Sequence, residues 1–176
     1  VGQQRTYANT YANPVVLGQV MTENDVDFSV FWCRGATPEA PPSGSVLYTG
    51  KHVGEDADTT RADETIGYVV MEAGIYTIDG MDLVAGLGPV TVSGVDNAPP
   101  YSYAISGITG VTGAVVTQAG MRGGNGGWAM LYGANPLTDG AIDLAIDEDQ
   151  LRDVERSHNP EQVAYMVVSK LENMPP

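Results

Sequence analysis

The sequence predicts an all-β fold, an antiparallel β-sandwich built from two tandem homologous halves. Three observations predict it: an internal repeat, a series of short runs of branched and aromatic residues, and 22 Gly with 11 Pro in 176 residues. The repeat is the strongest of the three. Pro14–Met21 lines up with Ala114–Met121, and the same shift of 100 (14 to 114) carries Phe28–Trp32 onto Trp128–Tyr132. Glu64–Val70 lines up with Glu161–Val167 at a shift of 97 (64 to 161). Matched blocks in one order imply duplication of a supersecondary unit. They divide the chain into a first repeat (1–72), a hairpin and connecting segment (73–110) and a second repeat (111–176), packed as one compact unit.

Each element follows from local pattern. Val15–Met21, Phe28–Cys33, Ser45–Thr49 and Thr65–Glu72 are short β-favouring runs with Gly, Pro, Asp or Asn near their ends. The pattern returns at Ala114–Ala119, Trp128–Tyr132, Ala141–Ile146 and Gln162–Ser169. Between the halves, Ile75–Ile78 and Met81–Val84 flank Asp79-Gly80, a dipeptide suited to the type I′ turn of a tight hairpin. Pro99-Pro100 precedes a further strand at Tyr101–Ile105. Several runs are apolar on both faces, as in Ile66, Tyr68 and Val70 against Val69 and Met71. Such strands are expected to be central and covered on each side. Only 147–157 offers a helical spacing, and its counterpart near 50–60 contains two glycines, so an acidic loop is the reading for both.

The formal net charge is −14. A surface this acidic repels phosphate backbones, which argues against nucleic acid as a partner. No stretch approaches the roughly 18 uninterrupted apolar residues of a membrane-spanning helix. No secretory leader is visible in Val1–Arg5, so an exported chain is already mature or an excised piece. Cys33 is the single cysteine, within an apolar strand, and reads as a buried, unreactive thiol.

The acidic loops carry the candidate metal ligands. Asp56, Asp58 and Asp63 precede one repeated strand; Asp147, Asp149 and Asp153 precede the other. Closely spaced carboxylates suit Ca²⁺, although neither loop has the glycine and terminal acid positions of an EF-hand. Salt bridges to Arg61, Arg152 and Arg156 are the alternative, and both stay open. Gly123–Gly127 lacks the Lys-Ser/Thr and the helix of a phosphate-binding loop and reads as a flexible turn. Trp32, Trp128 and Tyr132 are assigned to the core by strand alternation. Tyr101 and Tyr103, after the loop bearing Asp96 and Asn97, are the candidate exposed ligand contacts. No nucleophile motif or zinc signature is present, so catalysis is not expected.

The opening phrase Asn13-Pro14-Val15-Val16 and the closing phrase Glu161-Gln162-Val163-Ala164-Tyr165, preceded by Ser157-His158, resemble the ends of a β-domain found in large secreted proteins of marine bacteria. More distantly they resemble the ends of H-type lectin domains, which are sugar-binding β-sandwiches. The resemblance implies an extracellular location, no catalysis and an accessory role. The expected function is thus a noncatalytic, lectin-like extracellular module that recognises a glycan or cell-surface polysaccharide, with Ca²⁺ as a possible aid. The rival is a self-assembling subunit of an extracellular filament or matrix, and a hydrolase using the loop carboxylates stands third.

Overall fold

In a computed structural model, residues 2–170 of the chain are described. The strands are β1 (Gln3–Arg5), β2 (Pro14–Val20), β3 (Val30–Arg34), β4 (Leu47–His52), β5 (Ile66–Glu72), β6 (Gly74–Ile78), β7 (Met81–Leu87), β8 (Tyr101–Ala104), β9 (Val111–Gln118), β10 (Trp128–Leu131), β11 (Ala141–Asp147) and β12 (Val163–Ser169). The sole helical piece among the described residues is a 3₁₀ turn at Val95–Asn97. No helix among these residues is long and apolar enough to cross a membrane.

All pairings between named strands are antiparallel, in four sheets ordered β1-β4-β3, β2-β5, β6-β7-β12-β9 and β10-β11-β8. Side-chain alternation sorts these sheets into a sandwich-like stack. Val16 on one face of β2 packs with Phe31, Cys33 and Leu47, joining the β2-β5 sheet to the β1-β4-β3 sheet. Val15 and Leu17, on its other face, pack with Leu83, Ala85 and Ala164 of β7 and β12. The opposite face of β7 and β12, through Val84, Val163 and Val167, meets Tyr103, Ile142, Leu144 and Ile146 of β8 and β11. The two inner sheets are therefore apolar on both faces, and each outer sheet caps one of them.

Pairing orders correspond in part: β2 pairs β5 and β4 lies between β1 and β3, while β9 pairs β12 and β11 lies between β10 and β8, a strand of the connecting segment. The registers differ. Gly18 opposes Tyr68, whereas Tyr165 opposes Val116 rather than Gln118, the residue aligned with Gly18. A slip from 118 to 116 is even, so every side chain keeps its face. At the β6–β7 hairpin, Asp79 (φ 51°) and Gly80 (φ 82°) both adopt positive φ, as a type I′ turn requires.

Two strands depart from expectation. β1 is polar and fully exposed, so its sequence carries no burial pattern. β5, apolar on both faces, is an edge strand of a two-stranded sheet, with Tyr68 at 38% and Val69 at 57% exposure. The apolar pattern records hydrophobicity and is silent on how many neighbours a strand obtains. β12, with the same pattern, is central. Cys33 is fully buried, and burial pushes its thiol up to about 12, leaving it inert at neutral pH.

Candidate functional site

Three loops meet at one end of the outer β10-β11-β8 sheet. They follow β4, β9 and β11, and a buried histidine stands between them. His158, whose side chain is fully buried, donates from Nδ1 to Glu148 and from Nε2 to Glu161 at 3.0 Å. With both carboxylates ionised, both ring nitrogens donate and the ring is an imidazolium. Burial is the largest influence and pushes its pKa down, but the two carboxylates together outweigh it and the net shift is upward. Burial raises the pKa of Glu148, with the bond to His158 opposing. Glu161 Oε1 also accepts the backbone N–H groups of Arg122 (2.5 Å) and Gly123 (2.8 Å), which ties the glycine loop to the start of β12. A Cβ on Gly123 would lie 2.3 Å from the imidazole Cε1, so the loop reaches the ring only because that residue is glycine.

The remaining loops are fastened to this centre. Asp149 accepts Leu151 N–H at 3.0 Å and, from the loop after β4, Glu55 N–H at 2.9 Å. Gly54 permits that approach, since its φ is +62° and a Cβ there would overlap the Asp149 carboxylate. His52 donates from Nε2 to Gly127 O (3.0 Å) and accepts Gly54 N–H at Nδ1 (3.2 Å). That pattern fits the neutral ring, and burial pushes its pKa down to about 4. Asp147 holds Arg156 in a bidentate pair with both contacts at 2.7 Å.

Beside this centre lies a cleft of about 470 Å³. Its wall is Phe28 against Trp128, edge to face with centroids 5.3 Å apart. Its floor includes Asp147, Glu148, Gln150 and Arg156. Phe28 is 48% exposed, and a second cleft of about 340 Å³ is also lined by both rings.

The sequence-derived candidates fall differently. Tyr103 is 3% exposed, with its hydroxyl donating to Pro89 O (2.5 Å) and accepting Val163 N–H; it is a core residue, and the expected exposed contact is overturned there. The strand points it into the sheet interface, and burial pushes its pKa up to about 12. Tyr101 packs partly on the same core and donates to Asn97 O. Asp96 accepts Arg156 N–H (2.9 Å) and Asn97 accepts His158 N–H (2.8 Å), so this pair anchors the segment that delivers His158. Of the candidate metal ligands, Asp56 pairs with Arg61 at 2.5 Å, while Asp58 and Asp153 cap N–H groups of Thr60 and Glu155 two residues on. Asp63 is exposed. Only Asp147 and Asp149 reach the cleft. Among the described residues, no three His, Cys, Asp or Glu side chains are grouped so as to hold a metal ion.

The first repeat contains a parallel arrangement. Glu64, aligned with Glu161, accepts the N–H groups of Asn24 (3.1 Å) and Asp25 (2.8 Å) in the loop after β2. Arg61, aligned with His158, is 6% exposed at its side chain and faces Asp25, Asp27 and Asp56. A cation three residues before a glutamate was the signal for both; the change from Arg to His hid it. Trp128, assigned to the core by alternation, is half-buried and flanks the cleft.

Comparison of the chain with protein-family models, with curated proteins and with solved structures gives no match.

Proposed function

We propose that this chain is a noncatalytic, lectin-like extracellular module that binds carbohydrate in the cleft beside Phe28 and Trp128. The observation that carries this reading is the aromatic pair standing over a floor of fixed polar groups. Sugar rings present apolar C–H faces that pack on aromatic rings, and their hydroxyls need oriented donors and acceptors. Gln150 and the Asp147–Arg156 pair supply both. The extracellular setting rests on the likeness of the opening and closing phrases to secreted β-domains. Duplication of one ancestral unit is supported by the partly matched pairing orders and by the parallel roles of Glu64 and Glu161.

A glycan array followed by calorimetry tests the reading. Trp128→Ala or Phe28→Ala should weaken sugar binding about tenfold or more, equivalent to about 1.4 kcal/mol. Repeating the titration with Ca²⁺ and with a chelator decides whether the ion takes part. Absence of sugar binding under both conditions overturns the proposal.

Self-assembly is favoured by one specific observation. Met21, Tyr68, Val69 and Val115, all exposed, surround an apolar cleft of about 260 Å³ along the edge strand β5. A persistent monomer at high concentration, by size-exclusion chromatography and electron microscopy, excludes it.

A further inference from the structure

Glu148 is 3% exposed, lines the cleft, and gives one carboxylate oxygen to His158; its other oxygen, Oε2, is buried and has no partner. A buried carboxylate oxygen left unmatched is costly, and a donor that completes it gains correspondingly. Around it, the carboxylates of Asp147, Glu148, Asp149 and Glu161 face two cations, Arg156 and His158, so two negative charges are left over. Asp149 is already solvated by two backbone N–H groups, and Asp147 by Arg156. Glu148 Oε2 and Glu161 Oε2 are both still open, and of the two residues Glu148 is the one that lines the cleft. Beside it are the Phe28 and Trp128 rings, whose faces attract cations through the ring quadrupole. The chain as a whole, with a formal net charge of −14, adds a field of the same sign.

We propose that the cleft selects an amine-bearing sugar, its protonated amino group seated between the aromatic pair and Glu148 Oε2. This rests on the carbohydrate reading and narrows it. A uronate would meet uncompensated negative charge, and an N-acetylated sugar would offer a neutral amide where the site is arranged for a cation.

The test is calorimetry of the whole chain with three oligosaccharides of equal length: glucosamine, N-acetylglucosamine and galacturonate oligomers, buffered below neutrality so that the amine is protonated. The glucosamine oligomer should bind about tenfold tighter than the acetylated one, with the uronate undetectable. Glu148→Gln should abolish the preference, and Trp128→Ala should weaken both ligands. Equal or tighter binding of the acetylated oligomer overturns the inference and leaves the carbohydrate reading intact. Binding of none of the three, together with an empty glycan array, removes the reading itself. General attraction of a polycation to the acidic surface would persist undiminished in Trp128→Ala, and that result also overturns the inference. If Glu148→Gln does not fold, the wild-type ligand series and Trp128→Ala still decide.

Discussion

Among the described residues, His158 is a fully buried cation that can lose its charge, and its loss leaves Glu148 and Glu161 without their cation. Replacing it with Ala removes the partner of both Glu148 and Glu161, a defect that costs about 3–5 kcal/mol for buried ion pairs. Urea unfolding of His158→Ala should show that loss, and an unchanged midpoint would refute the clamp. The pH dependence follows from the directions of three shifts. His158 has a raised pKa in the fold, so its contribution is complete below the ordinary histidine value and is lost as pH climbs through the raised one. His52 is lowered to about 4, so its contribution is present above the ordinary value of 6.5 and disappears as pH falls through about 4. Glu148, raised by burial, gains on acidification and partly offsets His52. Stability should therefore peak near neutrality and fall on both sides. His52→Gln should flatten the acid limb alone, as thermal melts across pH would record.

At the scale of the element, the β5 edge is the informative case. Val69 stands 57% exposed on a strand whose Val70 carbonyl accepts the Tyr11 hydroxyl at the outer edge. Val69→Lys should change stability by less than about 0.5 kcal/mol, because the position is open. If β5 mediates self-association, the same change should shift sedimentation toward monomer by placing a charge on the edge. Strand positions were legible in the sequence because alternation and turn residues are local signals. Val15 to Val20, the Asp79-Gly80 hairpin and β12 all lie where those signals put them. Strand neighbours were not legible, since β5 and β12 share one pattern and differ only in partners fixed by distant chain. The cleft was hidden for a related reason. Its wall joins Phe28 to Trp128, a hundred residues apart (28 to 128), and its floor uses an acid, Glu148, that looked interchangeable with its neighbours. Tyr103 misled because a rigid polar loop before a strand says nothing about which way the strand faces.

For the whole molecule, the decisive feature is the seam between the inner sheets. Val15 and Leu17 of the first repeat are covered by Leu83, Ala85 and Ala164, and β12 of the second repeat pairs directly with β7 of the connecting segment. Isolated residues 1–72 would leave that apolar face in water, at about 25 cal/mol per Å² of exposed surface. The fragment should show neither cooperative melting nor dispersed amide resonances, whereas a sharp thermal transition would mean that the repeat is self-sufficient. Within the intact chain, Leu144→Ala, at a site with no exposure, should cost about 2–5 kcal/mol by calorimetry.

Where the first repeat fastens its loops with Arg61, the second does so with His158. A guanidinium keeps its proton at any pH a cell encounters, and an imidazolium does not. One set of loops is thus bolted and the other latched. Alkali would release the latched loops first, and those lie beside Trp128.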